Sequence, residues 1–554
     1  MDMNNKKLIL RGLSLLCLTT ILLYPHIAYA ITNSAGLSYV CTGLIFILPI
    51  VTLVSLISNK WIYSISTIIL TILAIIDLTM VDLYNEYLLP GGIISTIKTN
   101  PQEATEFYKT NLLEIVRWIP ILILCMVACL AYTKSTFRKF KYIPAIISFI
   151  LITTFVSYKI YGFYHSKTTW RYYIENRILN RPPYNVPFQT YQAGVLLRRV
   201  KLAENMKNIH MGAYRTQVPE NKKEIYVFAI GESLRYDNLS LNGIYHRPTT
   251  PRLEQLSNLI LFDDYYSQAC LTMFSVPQLV TRATPDNYEL NYAERSVVEP
   301  FRECGFKVFA VISETNLLSY EKYLTNGADS LIIVPNIVQD GEILSGDKTI
   351  VHIIDSLAQI HNKLFVITQF YGNHSFFTNY EKAFEQYNPN SNNCPPELVR
   401  DSIMLINAYD NSILYTDYIL SSLIKTIDQP NTVSALMFVS DHGENISQGG
   451  AGHGGDCAPI KQEYHVPFIF WWSEEYAEQY STKIQCAIQN KKAKINGDNI
   501  YYSVCDLADI QLAEQYNKPS WSVLSLDFKE HERLILVPDG KTCIHVDTLE
   551  SPTP

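Results

Sequence analysis

Four side chains that could bind a metal ion occur within residues 438–454, whose sequence is FVSDHGENISQGGAGHG. Asp441 and His442 are adjacent, and Glu444 and His453 follow them. Carboxylate oxygens and imidazole nitrogens are ligands that Zn²⁺ accepts readily. An isolated Asp–His pair has a simpler explanation, because the aspartate can cap a helix while the histidine lies at the surface. The segment alone leaves both interpretations open.

Similar chemistry recurs where other apolar runs end. Glu232 follows the run IYVFAI, and His374 lies just after the run LFVITQF. Thr272 lies just before a predicted helix in the segment SQACLTMFSVP. If the apolar runs are parallel strands, their carboxyl ends meet at one edge of a sheet and bring these side chains together. The combined set favours a zinc site formed by oxygen and imidazole ligands.

A hydroxyl group beside such a metal ion has a chemical rationale. Zinc lowers the pKa of a bound hydroxyl and neutralises charge on a phosphoryl group during its transfer. Thr272 would then attack phosphorus and carry the transferred group covalently until a second acceptor collects it.

Five short apolar runs after Lys223 are predicted to form the sheet that positions these residues. They are Ile225–Ile230, Lys307–Ile312, Leu364–Phe370, Ala435–Ser440 and Pro467–Trp472. Helical stretches separate the runs, and alternating strands and helices are typical of a mainly parallel sheet. The later part of the chain is therefore predicted to be an α/β domain.

The first part of the chain has the composition of a membrane domain. Its apolar windows, each long enough to span a bilayer, are Leu8–Ala30, Gly36–Ile57, Trp61–Leu83, Leu112–Tyr132 and Tyr142–Gly162. The first window could instead be a signal peptide, because two lysines precede it and its end resembles a cleavage site. Four further windows favour a retained anchor.

The distribution of basic residues predicts the orientation of these spans. Lys and Arg lie at positions 6–11, at Lys60 and at positions 134–141, so these segments are predicted to face the cytoplasm. Five spans then place the rest of the chain outside, which for a bacterial inner-membrane protein is the periplasm. The net charge of −7, with no cluster of Lys and Arg in the outward part, argues against a nucleic-acid partner.

The resulting organisation has three parts. We predict a transmembrane domain at residues 1–165, a bridging segment at the membrane surface at residues 166–220, and a catalytic domain at residues 221–554. Within the first part, residues 84–111 form an outward loop in which Asn100 can cap a short helix that begins at Pro101. The bridging segment is rich in Arg and Tyr, which are side chains that suit the membrane surface.

Taken together, the chain resembles the membrane phosphoethanolamine transferases of the alkaline-phosphatase and sulfatase-like superfamily, which modify lipid A or the lipopolysaccharide core. The resemblance covers nearly the whole chain and rests on the motifs VFAIGES, TMFSVP, GNHS, VSDHGE, GHGG and TNPQEA. It implies a five-helix transmembrane domain followed by an α/β/α sandwich. It also implies transfer of phosphoethanolamine from phosphatidylethanolamine to a lipid or glycan acceptor of the cell envelope.

The resemblance assigns the metal site to particular residues. Glu232, Thr272, Asp441 and His442 correspond to the zinc ligands of the family, and Thr272 also corresponds to its nucleophile. One zinc ion is expected, and a second is possible during turnover. Glu444 is not a ligand in this match and is predicted to support the turn.

The resemblance also suggests substrate contacts. His374 and His453 match histidines that line the substrate or second-metal position, where they would orient or protonate the phosphoryl group or the leaving oxygen. Thr99 and Glu103 match the segment that contacts the head group of the donor lipid.

Some positions depart from the pattern of the family. Relatives that modify lipid A commonly have a disulfide around the nucleophile, whereas this chain has Gln268 and Gln278 at those positions. Ser95 stands where some relatives have asparagine in the lipid-binding loop. The outward part has seven cysteines, so at least one is unpaired; they are Cys270, Cys304, Cys394, Cys457, Cys486, Cys505 and Cys543. The lack of that disulfide resembles the core-modifying or less-studied branches of the family and argues against lipid A as the acceptor, whereas Ser95 suggests different contacts with the donor.

Two alternative functions remain open from the sequence. A phosphoglycerol transferase, or a phosphodiesterase or sulfatase-like hydrolase, would use the same fold and threonine nucleophile, although TNPQEA and GNHS favour phosphoethanolamine. A non-catalytic membrane scaffold would not need the four metal-binding positions, all of which are intact.

Overall fold

The chain folds as two units, Met1–Lys201 and Leu202–Pro554. The computed structural model describes residues 3–84, 87–90, 93, 118–134, 142–166, 173–204, 209–313, 327–335, 337–339, 342–374, 377, 380–387, 402–446, 460–537 and 542–549.

Apolar helices form most of the first unit. They are α1 (Met3–Thr32), α2 (Gly36–Ser55), α3 (Lys60–Tyr84), α4 (Trp118–Thr133) and α5 (Tyr142–Ser166). Each coincides with a window identified in the sequence, which confirms the prediction of five helices. By length and composition, Ile9–Thr32, Gly36–Ser55 and Lys60–Asp82 can span a membrane, whereas the apolar parts described in α4 and α5 are shorter, Trp118–Thr133 and Phe149–Gly162.

The apolar core of this unit lies where α1 packs against α2, α3 and α4. Leu18, Ile21, Ile47 and Val51 are among its buried side chains. A sixth helix, α6 (Asn185–Glu204), lies within the stretch that was predicted to bridge the two domains.

A seven-stranded sheet forms the centre of the second unit. Its strands are β1 (Lys223–Gly231), β2 (Leu259–Leu261), β3 (Lys307–Ser313), β4 (Ser330–Val334), β5 (Lys363–Gln369), β6 (Thr432–Ser440) and β7 (Phe468–Trp472). The strand order is β2-β7-β6-β1-β5-β3-β4. Strands β6, β1, β5, β3 and β4 are mutually parallel, and β7 is antiparallel to both of its neighbours. The five predicted strands and the mainly parallel sheet are confirmed.

Helices cover both faces of this sheet. They are α7 (Thr272–Val280), α8 (Val298–Glu303), α9 (Asp347–Ile360), α10 (Ser402–Ile427), α11 (Lys461–Tyr464), α12 (Glu474–Gln479), α13 (Ser481–Gln489) and α14 (Asp498–Leu507). Alternate residues of β1 enter two separate apolar clusters, with Phe228 and Ile230 in one and Val227 and Ala229 in the other. The fold is therefore an α/β/α sandwich, because successive side chains of a strand point to opposite faces.

Short two-stranded ribbons surround the sandwich. Their pairs are Tyr214–Arg215 with Ile510–Gln511, Tyr265–Tyr266 with Ile495–Asn496, Ile337–Gln339 with Glu342–Leu344, and Leu534–Leu536 with Cys543–His545.

Candidate metal centre

The carboxyl ends of β1 and β6 bring three potential metal ligands together. Gly231 and Ser440, the last residues of these parallel strands, are register partners, so Glu232 and Asp441 follow side by side. The ligand atoms of Glu232, Asp441 and His442 all lie within 4.8 Å of one another, and the three residues are buried. The sequence prediction that strand ends would unite these residues agrees with this geometry.

Thr272 completes the cluster from a different part of the chain. It begins α7, and its Oγ1 lies 3.1 Å from Nε2 of His442. The same nitrogen lies 3.3 Å from Oε1 of Glu232 and 3.4 Å from Oδ2 of Asp441. Since a helix N-terminus favours negative charge, the position of Thr272 also suits an oxygen that becomes a nucleophile.

The two carboxylate oxygens of Asp441 have different environments, and hydrogen bonds to one of them orient the side chain. Oδ1 accepts hydrogen bonds from the backbone N–H groups of Ser233, at 3.1 Å, and His442, at 2.8 Å. Oδ2 is buried and accepts no hydrogen bond within the part of the chain that the structure describes. A buried carboxylate oxygen without a donor is costly. A metal ion at the centre of the cluster would satisfy it.

His442 has the tautomer that metal binding needs. Its Nδ1 lies 2.8 Å from the carbonyl oxygen of Gly443. Because a carbonyl can only accept, Nδ1 carries a proton, and a neutral ring then has its lone pair on Nε2, which faces Glu232 and Asp441. This arrangement is common among histidines that bind metals.

The electrostatics of the cluster favour a cation. Burial and the charge of Glu232 raise the pKa of Asp441 to about 7. Burial alone would lower the pKa of His442, but Asp441 and Glu232 outweigh it and raise that pKa to about 10. Two buried carboxylates thus stabilise positive charge between them, and either a proton on His442 or a divalent cation can supply it. Two carboxylates, one imidazole and one hydroxyl fit a four-coordinate Zn²⁺ site.

Two serines hold the metal-binding turn against the nucleophile segment. The hydroxyl groups of Ser267 and Ser275 both donate to the backbone carbonyl of Asp441, and the bond from Ser275 is 2.5 Å long. Ser275 lies one turn after Thr272 in α7, so one helix contributes both the candidate nucleophile and a support for the metal ligand. Sequence reasoning missed both serines. The i, i+3 spacing of Thr272 and Ser275 was the available signal.

The nucleophile segment, residues 268–278 around Thr272, is held by packing and hydrogen bonds, whereas some relatives have a disulfide there. Gln268 and Gln278 are buried, and Nε2 of Gln278 donates to the carbonyl of Phe274 at 2.9 Å. The hydroxyl of Tyr288 donates to the carbonyl of Met273 at 3.1 Å. Among the described cysteines of the second unit, Cys270, Cys304, Cys486 and Cys505 are thiols.

Reductant is therefore expected to leave the function of this segment intact. Zinc content and thermal unfolding should be measured with and without a thiol reductant. Loss of activity on reduction, together with a disulfide found between outward cysteines, would contradict this expectation.

Of the two histidines predicted to contact the substrate, His374 lies within the described part of the chain and His453 lies outside it. His374 lies beyond the carboxyl end of β5, at the same sheet edge as Glu232, and its ring stacks on Tyr371 with centroids 4.5 Å apart. Glu444 is buried and its Oε1 accepts from the backbone of Asn445 at 3.0 Å, as expected of a residue that supports the turn. His453, Thr99 and Glu103 lie outside the described residues.

Gly443 allows the turn after His442 to approach α11 closely. A Cβ atom at this position would lie 2.0 Å from the carbonyl oxygen of Gln462, and backbone cannot move away as a flexible side chain could. Gly443→Ala is expected to displace His442, lower stability by about 1–3 kcal/mol and weaken zinc binding. The control is Gly194→Ala in α6, where nothing lies within 4 Å of the added carbon. Thermal unfolding and zinc titration check both variants, and equal zinc affinity would contradict the expectation.

Comparison with known proteins places this fold and site in a family. The chain belongs to the Sulfatase family, whose model matches residues 224–510, just over half of the chain. Among curated proteins it is similar to phosphoethanolamine transferase EptC of Escherichia coli K12, with 26% identity over 349 residues. That match covers 59% of this chain and 58% of the relative, so less than two thirds of the relative is matched.

Two solved structures share the fold. The integral membrane lipooligosaccharide phosphoethanolamine transferase A (EptA) of Neisseria meningitidis superposes with a TM-score of 0.58 at 19% identity, covering 92% of this chain and 97% of that one. The C-terminal periplasmic domain of EptC from Escherichia coli, crystallised in complex with Zn, gives a TM-score of 0.53 at 24% identity and covers 61% and 96% respectively. The predicted membership of the sulfatase-like superfamily and the predicted fold class are confirmed.

Proposed function

We propose that this chain is a zinc-dependent phosphoethanolamine transferase of the bacterial inner membrane. It takes phosphoethanolamine from phosphatidylethanolamine and transfers it to a lipopolysaccharide component, a core sugar or lipid A, in the periplasm. The observation that carries the proposal is the meeting of Glu232, Asp441 and His442 beside the hydroxyl of Thr272. The names of EptC and EptA support the choice of phosphoethanolamine.

The chemistry follows from the residues of the cluster. When bound, Zn²⁺ would lower the pKa of the Thr272 hydroxyl and neutralise charge on the phosphoryl group. Glu232, Asp441 and His442 would hold the ion, and the N-terminus of α7 would favour negative charge at the attacking oxygen. In the first step the Thr272 oxygen bonds to phosphorus, the bond from phosphorus to the diacylglycerol oxygen breaks, and diacylglycerol leaves with a proton.

The second step reverses the roles of nucleophile and leaving group. A hydroxyl group of the acceptor loses its proton and bonds to phosphorus, while Thr272 leaves and regains a proton. His374 and His453 are proposed to supply and remove these protons or to orient the phosphoryl group. Thr99 and Glu103 are proposed to contact the head group of the donor, with the catalytic part of the chain outside the cytoplasm.

A donor assay tests the proposal. The full-length protein in detergent would receive zinc, an acceptor glycolipid and one of two donors, phosphatidylethanolamine or phosphatidylglycerol, each labelled in its head group. Transfer of label from phosphatidylethanolamine alone is the expected result. Preference for phosphatidylglycerol would identify a phosphoglycerol transferase, and release of label without an acceptor product would identify a hydrolase.

Truncation separates lipid handling from chemistry. A fragment that begins near Asn221 is expected to bind zinc and slowly cleave small soluble phosphodiesters, because Glu232, Thr272, Asp441 and His442 all lie within it. It should fail to modify the acceptor, because it lacks the predicted lipid-binding loop. Mass spectrometry of the acceptor checks this result, and undiminished transfer from phosphatidylethanolamine by the fragment would refute the role of the loop.

A further inference from the structure

The first unit contains a buried lysine that the proposed transfer chemistry does not use. Lys159 lies in α5, seven residues before that helix ends, which is about 10 Å at the helical rise of 1.5 Å per residue. Its side chain is 7% exposed, and its Nζ donates to the carbonyl oxygen of Arg177 at 3.3 Å. Charged residues inside membrane-spanning helices are rare and usually mark a site with a function.

Aromatic rings and a second cation surround this lysine. Nζ of Lys159 lies 4.1 Å from the centroid of the fully buried Phe46 ring and 5.2 Å from that of Tyr158. The guanidinium of Arg181 lies over Phe46 at 5.7 Å and over Tyr39 at 5.0 Å. Two cations thus approach one phenyl ring within the same unit.

No described carboxylate forms an ion pair with Lys159 or Arg181, although ion pairs are common in the second unit. One carbonyl and the faces of aromatic rings compensate such charges only in part, because cation–π attraction is weaker than the loss of hydration on burial. Like charges that approach each other in an apolar surrounding also repel each other. Among the residues that the structure describes, no anion therefore balances these two cations.

We propose that Lys159 and Arg181 bind the phosphate group of a membrane phospholipid. The position of Lys159 near the end of α5 suits the level of lipid head groups, where long cationic side chains reach the interface. Phosphate is the anion that a bilayer supplies there, and Arg and Lys are the residues that bind it best. Acyl chains of the same lipid would lie along the exposed apolar surface of α5, which includes Phe149, Ile150 and Val156. Neither residue belongs to the set proposed to bind zinc, the phosphoryl group or the head group of the donor.

The test uses the full-length protein, freed of lipid in detergent, and three probes. Dioleoylphosphatidylglycerol provides phosphate and acyl chains, dioleoylglycerol provides only the chains, and inorganic phosphate provides only the anion. Bound lipid is counted by native mass spectrometry, and the melting temperature is followed as each probe is added. Only the phospholipid is expected to bind at a defined stoichiometry and raise the melting temperature.

Variants locate the binding site. Lys159→Met and Arg181→Gln should each weaken the phospholipid effect at least tenfold, whereas Lys159→Arg should keep it. Lys60→Met is the control, because Lys60 is an exposed lysine beside Trp61 elsewhere in the unit. It should bind phospholipid like the natural protein. Without lipid, Lys159→Met should be at least as stable as the natural protein, because it removes a buried charge that lacks an anion.

Several outcomes would overturn the proposal. Equal binding of dioleoylglycerol would show that no anion is recognised, and equal stabilisation by inorganic phosphate would exclude a lipid as the specific ligand. Unchanged phospholipid binding by both Lys159→Met and Arg181→Gln would place the site elsewhere. A large loss of lipid-free stability in Lys159→Met would show that the lysine is needed for its bond to Arg177.

Discussion

Replacing Thr272 with alanine is expected to abolish phosphoethanolamine transfer. Its hydroxyl oxygen lies 3.1 Å from Nε2 of His442, beside the proposed metal ligands. Loss of a nucleophile that acts together with its activating groups lowers turnover by roughly 10⁴-fold or more. Thr272 is only partly buried at the start of α7, so folding should change little. Turnover and thermal unfolding of Thr272→Ala, measured together, separate the two effects.

Two further variants sharpen this prediction. Thr272→Ser retains an oxygen at the same position and should keep part of the activity. Thr284→Ala removes a threonine hydroxyl whose described partner is Asp286, at 2.6 Å, and should keep full activity. Near-normal transfer by Thr272→Ala would refute the assignment of the nucleophile.

The covalent intermediate gives a direct readout. When the acceptor is withheld, the natural protein should accumulate a phosphoethanolamine ester on the tryptic peptide that contains Thr272. Peptide mass spectrometry detects the ester, and chelation of zinc should prevent its formation. Fragmentation that places the ester on Ser267 or Ser275 would contradict the proposal, since these hydroxyls donate to the carbonyl of Asp441.

The sequence was sufficient to predict that the proposed metal ligands Glu232, Asp441 and His442 lie together, because neighbouring parallel strands end at the same edge of the sheet. Glu232 and Asp441 each follow a long apolar strand, and adjacent parallel strands end at one edge. Thr272 was grouped with these residues for its hydroxyl and by the resemblance, since no strand carries it to that edge. Its contact with His442 depends on the path of the chain between β2 and α7, which no periodicity encodes.

Other features needed the tertiary structure. The edge strands β2 and β4 were missed because their apolar runs, LIL and LIIV, are shorter than the five runs that were predicted to form strands. The hydrogen bonds from the hydroxyl groups of Ser267 and Ser275 to the carbonyl of Asp441 join residues that are far apart in the sequence. The close approach of Gly443 to Gln462 is likewise a property of the folded chain.

Removal of zinc is expected to destabilise the protein more at high pH than at low pH. In the zinc-free protein the pKa of Asp441 is raised from 3.8 to about 7 by burial and the charge of Glu232, so its contribution to stability is complete below about pH 4 and is lost as pH rises through 7. The pKa of His442 is raised from 6.5 to about 10 by the carboxylates, despite burial. Its contribution is complete below 6.5 and is lost as pH rises through 10.

Zinc competes with these same protons, so its stabilising effect should grow as they become easier to displace. Each displaced proton contributes about 1.4 kcal/mol per pH unit. The melting temperature should therefore be measured with zinc and with chelator between about pH 6 and 8.5. The difference between the melting temperatures with zinc and with chelator should increase with pH in the natural protein. It should vanish in Asp441→Asn, which lacks one ligand charge. Asp527→Asn, at an exposed position, should behave like the natural protein. A gap of constant size at every pH would mean that zinc displaces no proton from Asp441 or His442, and the ion would then have to bind elsewhere.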